Sequence, residues 1–257
     1  MQSFLANRFE RKYVLTETRA RQVRAWLRTR VEPDEHLTAE HPRGYPVYSL
    51  YLDTRELTLY RTAAEGHKNR FKLRIRYYDD GRDSPIFCEI KRRADQVIRK
   101  QRAGVHRRAL DALLSFRDLP DSALLNPARE RRDLLDFQGL QRNLDARPTL
   151  IVGYNREAYL DVSTSNARLT FDRDLRALAY DPDRGLHTDL PLVNGHEDKV
   201  IFEIKYVNRW PRWLQELVHI FQLERQSVPK YGWSVESFGE NRVRRDTRRP
   251  VFHSQGA

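Results

Sequence analysis

The residues best suited to chemistry in this chain stand at every second position of short runs. In Arg70-Phe71-Lys72-Leu73-Arg74-Ile75-Arg76-Tyr77 cations alternate with apolar residues. Strand side chains alternate between faces, so Lys72, Arg74 and Arg76 share one side and Leu73, Ile75 and Tyr77 the other. The run 86–91 puts Glu89 and Lys91 on one face, 200–206 does the same with Glu203 and Lys205, and Tyr154 pairs with Arg156 in a fourth run. Like charges at this spacing repel, so the rows imply a polyanion held between them. Arginine offers a planar fork to phosphate oxygens and lysine a mobile point charge. Glu89 and Glu203, acids among cations, read either as charge balancers or as oxygen ligands for Mn2+ or Mg2+ shared with phosphates. The competing reading is a solvated sheet face with compensating acids opposite. The other charged faces also hold Lys and Arg, which argues against that cancellation. The chain contains no G-x-x-x-x-G-K-[ST] loop, no G-x-G-x-x-G and no zinc-type Cys/His cluster, which sets aside P-loop, dinucleotide and zinc chemistry.

The elements that would position these residues follow from the periodicity. Strand-like runs occupy 9–15, 47–53, 70–78, 86–92, 150–160, 168–175 and 200–206. An Asp-Asp-Gly-Arg turn joins 70–78 to 86–92, and a Ser/Thr/Asn loop joins 150–160 to 168–175, so both pairs read as antiparallel hairpins. Thr16 can cap a helix that carries Val23, Trp26 and Leu27, and Pro211 opens another with Leu214, Leu217, Val218 and Phe221 on one stripe. Helical spacing recurs over 109–116 and 133–144, with a short helical turn over 57–64 and a polar loop over 33–46. This order predicts one α+β domain over 1–238, built on a large antiparallel sheet or barrel. If the sheet closes, the charged rows face a lumen. The Arg-rich end, 239–257, reads as a frayed basic tail. A net charge of +11 over 257 residues calls for an anionic partner. Nucleic acid ranks low, because the cationic strands lack interleaved exposed aromatics and no nucleic-acid module signature is present. The single cysteine, Cys88, excludes an internal disulfide framework. No apolar run approaches the ~20 residues that span a bilayer, and the start is too short and polar for a signal peptide. The expectation is a soluble cytoplasmic protein.

An ordered set of motifs resembles one family. Phe9-Glu10-Arg11-Lys12-Tyr13, Ser49-Leu50-Tyr51-Leu52-Asp53-Thr54, Lys72-Leu73-Arg74-Ile75-Arg76-Tyr77, Phe87-Cys88-Glu89-Ile90-Lys91, Gly153-Tyr154-Asn155-Arg156-Glu157-Ala158, Arg168-Leu169-Thr170-Phe171-Asp172, Phe202-Glu203-Ile204-Lys205 and Pro229-Lys230-Tyr231 occur in the order of VTC domains. These are polyphosphate polymerases related to the CYTH triphosphatases of the triphosphate tunnel superfamily. The resemblance implies an antiparallel β-barrel, the triphosphate tunnel fold, with flanking helices. It implies transfer of the γ-phosphate of ATP onto inorganic polyphosphate, with Mn2+ or Mg2+. Carried onto this chain, it makes Arg74, Arg76, Lys91, Arg156 and Lys230 the catalytic cations. Lys12, Lys72, Lys100, Tyr154, Arg168 and Lys205 become substrate ligands for ATP, triphosphate or polyphosphate, and Glu203 becomes the metal ligand. Lys100 and Arg102 match a further Lys-x-Arg strand of the family across a shorter loop. Two departures stand out. Pro229 replaces a serine usual before the last lysine, removing a hydroxyl and an N–H. Arg8 replaces the first acid of the CYTH Glu-x-Glu-x-Lys, which favours the polymerase branch over a hydrolase. A tunnel triphosphatase and a non-catalytic polyphosphate-binding module remain as alternatives.

Overall fold

Alternating apolar and charged residues give the strands expected of them. The computed structural model describes residues 8–38, 41–94, 97–163 and 167–247. The strands are β1 (Arg8–Thr16), β2 (Val31–Pro33), β3 (Tyr45–Asp53), β4 (Asn69–Tyr77), β5 (Pro85–Ala94), β6 (Val97–His106), β7 (Arg147–Asp161), β8 (Ala167–Ala179) and β9 (Lys199–Val207). The helices are α1 (Glu17–Leu27), α2 (Thr58–Ala64), α3 (Leu110–Leu114), α4 (Pro127–Asn143), α5 (Arg212–Ile220), α6 (Lys230–Phe238) and α7 (Glu240–Thr247). The chain divides into two compact units. One takes the residues up to 46 with 154–175 and 194–228, and the other takes 47–153, 176–193 and the residues from 229 on.

In the first unit β1 pairs with β9 and β9 with β8, both antiparallel, and β2 adds to β7. Tyr13, Leu169, Phe171, Phe202 and Ile204 pack with Ala20, Val23 and Leu27 of α1 and Leu214 and Leu217 of α5. The Thr16 hydroxyl accepts from the Arg19 N–H at 3.2 Å, capping α1 as its sequence predicts. Pro211 is the N-cap of α5.

In the second unit β3, β4, β5 and β6 form an antiparallel ladder. Its apolar face, with Leu73, Ile75, Tyr77, Cys88, Ile90 and Val105, packs with Leu113, Leu134 and Phe137 of the helices. The outer edge of β6 is not left bare. Asp133 accepts from the Arg102 N–H and Glu130 from the Gly104 N–H, each at 3.1 Å, so α4 carboxylates occupy donors that could template another strand. Leu125 donates to the Gly104 carbonyl at 2.9 Å. A Cβ at Gly104 would meet Leu125 Cδ1 at 2.8 Å, so a larger residue there would displace the exposed Leu125 side chain.

The antiparallel α+β expectation with flanking helices holds. The hydrogen-bonded path of strands begins at β1 and ends at β6, and no pairing among the described residues joins these two. The tail expected from 239 is corrected over 240–247. That segment is α7, anchored by a buried Val243, by Arg61–Glu240 at 3.1 Å and by Arg244–Glu56. The remainder, with Arg248 and Arg249, lies outside the described residues. Among the described residues no helix is long and apolar enough to cross a membrane.

The turn from β3 into α2 is organised by one carboxylate. Asp53 is fully buried and accepts from the N–H groups of Thr54 and Leu59 at 2.8 Å and Tyr60 at 2.9 Å, and from the Tyr231 hydroxyl at 3.0 Å. It therefore ties α2 and α6 to the end of β3. Asp53→Asn presents an amide donor to this ring of donors, and we expect a loss of about 2 kcal/mol in urea unfolding.

Candidate functional site

The register of the second unit turns the alternation of its strands into one charged face. Across β3, β4, β5 and β6, Tyr51, Arg74, Glu89 and Arg102 stand in one row. Lys72, Lys91 and Lys100 form the next, and Ser49 lies opposite Arg76. Directly opposed residues share a face, so these three rows set six cations against one carboxylate, Glu89.

Glu89 is 0% exposed and sits at the focus of the cations. Arg74 reaches it at 2.7 Å and 2.8 Å, and Lys100 at 2.7 Å. Arg102 lies at 3.7 Å and Arg76 at 3.9 Å. Burial pushes the Glu89 carboxyl up, but Arg74, Arg76 and Lys100 override it and hold the group well below the usual carboxylate range. Burial also lowers the Lys100 ammonium, and Arg74 and Arg76 lower it further. Glu89 restores only part, which leaves Lys100 at about 8. One acid thus preorganises four cations while leaving the face strongly positive, which is the electrostatic form of a polyanion site.

The first unit is balanced differently. Glu10 stands opposite Lys205 and Lys12 opposite Glu203, a checkerboard across β1 and β9. Lys12 Nζ lies 2.9 Å from Glu10 and 3.7 Å from Glu203, and Lys205 Nζ lies 2.5 Å from Glu203. Burial lowers Lys12, yet Glu203 and Glu10 raise it above its ordinary range. Arg156 is buried and grips Asp172 through two bonds of 2.7 Å, with its guanidinium 5.2 Å from the Tyr154 ring centroid. Arg168 meets Asp34 at 2.6 Å and the Tyr45 hydroxyl at 3.1 Å. Arg156 and Arg168 each face a carboxylate that the sequence reading did not pair with them, whereas Lys205 meets the Glu203 it shares a face with.

The structure therefore gathers Arg74, Arg76, Lys72, Lys91 and Lys100 on one face of the second unit. It gathers Lys12, Lys205 and Glu203 on one face of the first, with Arg156 and Tyr154 together and Arg168 against Asp34. Lys230 is the first residue of α6, and Pro229 is its N-cap, with no side-chain cap bond. The sequence reading missed Tyr51, Ser49, Asp172 and Asp34. Period two puts Ser49, Tyr51 and Asp53 on one face of β3, but their types alone do not mark Ser49 and Tyr51 as site residues.

Carboxylate, water and phosphate oxygens suit a hard divalent ion. Among the described residues no group of three or more His, Cys, Asp or Glu side chains could hold a metal by itself. Glu203, with Glu10 sharing Lys12, fits Mn2+ or Mg2+ only where phosphate oxygens complete the shell.

The family model described as VTC domain matches residues 7–238. The vacuolar transporter chaperone complex subunit 4 of Trypanosoma cruzi (strain CL Brener) is 26% identical over 221 residues, covering 73% of this chain and 27% of that protein. The chain thus spans about a quarter of that relative's length. A crystal structure from Bacillus halodurans, described as a candidate adenylate cyclase, is 13% identical with a TM-score of 0.49, covering 87% of this chain and 95% of that one. The family match extends over nearly all of the described strands and helices, and the chain belongs to the VTC domain family.

Proposed function

We propose that the protein is a polyphosphate polymerase that transfers the γ-phosphate of ATP to inorganic polyphosphate. The observation that carries this reading is the face of six cations organised around the buried Glu89. Membership of the VTC domain family supports it.

Phosphoryl transfer requires in-line positioning and neutralisation of spreading charge rather than covalent help from the protein. A terminal phosphate oxygen of the acceptor forms the new bond to the γ-phosphorus, the bond from that phosphorus to the bridging oxygen breaks, and ADP leaves with the electron pair. The acceptor oxygen is already ionised, so no general base is needed. Arg74 and Arg76, oriented by Glu89, would clamp phosphate oxygens bidentately. Lys91 would neutralise the group in transfer, and Lys230 the leaving oxygen. Lys72 and Lys100 would extend the cationic path. Arg156, Arg168, Lys12 and Lys205 would bind phosphate by exchanging it for their present carboxylate partners, with Tyr154 stacked beneath Arg156. Glu203 would hold Mn2+ or Mg2+, which supplies charge neutralisation at phosphate oxygens when bound. Glu203→Gln is expected to weaken Mn2+ binding in the presence of tripolyphosphate at least about tenfold, read by electron paramagnetic resonance titration.

The deciding experiment incubates the protein with γ-labelled ATP and Mn2+, with and without a pyrophosphate primer, and resolves the products on a gel. A ladder is expected. Orthophosphate alone would make the protein a tunnel triphosphatase. Unchanged ATP would make it a binding module, the reading that Pro229 favours by removing a hydroxyl and an N–H from the start of α6.

A further inference from the structure

Two hydroxyls on β3 face the cationic surface without a partner for their protons. Ser49 is 1% exposed, stands opposite Arg76 in the register, and its Oγ makes no hydrogen bond among the described residues. Tyr51 is 6% exposed and stands opposite Arg74. Its oxygen accepts from Arg74 Nη1 at 3.4 Å, and among the described residues nothing accepts its own proton. The Tyr51 ring is fixed by stacking on Tyr231 at 4.5 Å, and Tyr231 is itself anchored to Asp53. Buried hydroxyls are nearly always satisfied, because leaving one unpaired costs free energy. These two sit two residues apart, on one face, beside arginines that are donors only. What is missing is an acceptor, and the surrounding charge requires it to be anionic.

We propose that Ser49 and Tyr51 are further phosphate ligands of this face, their hydroxyls donating to oxygens of the anion held by Arg74 and Arg76. This rests on the reading of that face as a phosphate site, though not on the reaction performed there. Neutral donors complement the arginines. They add direction and geometry without adding repulsion to an already crowded set of cations, and they draw the bound phosphate toward β3.

The groups around Tyr51 give the proposal a signature in pH. Arg74, Lys72 and Arg76 of β4 act on it, Glu89 of β5 lies beyond Arg74 in its row, and Tyr231 of α6, bonded to Asp53 of β3, stacks on its ring. Burial raises the Tyr51 phenol, but Arg74, Lys72 and Arg76 outweigh this and lower it to about 8. Below that pH the phenol donates, and above it the phenolate repels phosphate. Lys100 also loses its charge near pH 8. Both proteins in a comparison share that loss, so only the difference between wild type and Tyr51→Phe reports Tyr51.

The test is calorimetric titration of the whole chain with tripolyphosphate, for wild type, Ser49→Ala and Tyr51→Phe. Each variant is expected to bind about five- to tenfold more weakly at pH 7. Ligand-free Ser49→Ala is expected to unfold at the same temperature as wild type or higher, since it removes a buried hydroxyl with no hydrogen bond among the described residues, and Tyr51→Phe close to wild type, since it gives up only the long contact from Arg74 at 3.4 Å. A purely structural role would lower both. The deficit of Tyr51→Phe should shrink between pH 7 and 9, and a tyrosinate absorbance step at 295 nm near pH 8 should be absent from it. Affinities equal to wild type in both variants overturn the proposal, as does a parallel fall in stability and affinity. Wild type that binds tripolyphosphate through these hydroxyls but makes no polymer from ATP refutes the polymerase reading and leaves this one standing.

Discussion

Glu89→Gln is expected to destabilise the ligand-free protein by about 3 kcal/mol, measured by equilibrium urea unfolding. Glu89 is fully buried, and Arg74, Arg76, Lys100 and Arg102 all lie within 3.9 Å of it. Removing one partner from a buried charge cluster leaves the rest uncompensated, at a cost of about 3–5 kcal/mol. The lower end applies because Lys100 and Arg102 are partly exposed and can rehydrate. Glutamine keeps the shape, but its amide turns a donor toward donors. Tripolyphosphate should recover much of the loss by supplying the missing negative charge, and should therefore raise the unfolding temperature more in Glu89→Gln than in wild type. The same group sets an acid limit. Its folded carboxyl lies below the ordinary range, so its contribution is present in full above the unfolded glutamate value of about 4.3 and is withdrawn as pH falls through and below it. The variant should lack that part of the acid unfolding profile. A variant as stable as wild type at pH 7 would show that Glu89 is not the counter-charge of this face.

The dependence on Glu89 also separates what could be read in the sequence from what could not. The charged side of β4 was legible because Lys72, Arg74 and Arg76 keep strict period two against Leu73, Ile75 and Tyr77. Period two assigns a face, but it does not say who stands opposite. The row Tyr51, Arg74, Glu89, Arg102 exists only through the register of four strands, and only that row shows one acid holding four cations. The same limit hid Asp172 and Asp34. Each is a single polar residue whose pairing, with Arg156 and Arg168, depends on contacts far along the chain for Asp34 and across a hairpin for Asp172. Strand β6 was found only through the family resemblance of Lys100 and Arg102. Its alternation is blurred, since Gln101 on the opposite face is satisfied by Asp133 and Asp136 of α4 rather than buried in apolar contacts. Helix α6 begins at Lys230 behind Pro229 and contains Gly232, signals that read as a turn. Gly232 fits because a Cβ there would press on Pro229 at 3.2 Å. Closure of the sheet depended on β1 meeting β6, which no local pattern can report.

Lys91→Ala is expected to reduce polymer formation by about 10²–10³-fold in kcat/KM while leaving the fold intact. Lys91 stands between Lys72 and Lys100 in the register, three ammonium groups in one row. Like charges directly opposite each other destabilise a sheet, so removing the central one relieves repulsion, and Glu89 keeps Arg74, Arg76, Lys100 and Arg102. The fold should therefore survive the change, read as a cooperative unfolding transition close to that of wild type. Arg74→Ala cannot separate binding from folding in this way, because Arg74 bonds the buried Glu89 through two nitrogens. The kinetic pattern assigns the role of Lys91. If the ammonium acts on charge that develops during transfer, kcat and kcat/KM fall together with KM little changed. If it binds the ground-state triphosphate equally well, KM rises alone. Arginine in its place restores charge but not a compact point donor, so Lys91→Arg should recover tripolyphosphate affinity more than it recovers rate. A Lys91→Ala protein that binds tripolyphosphate and builds polymer as wild type does would remove this lysine, and the row it centres, from the site.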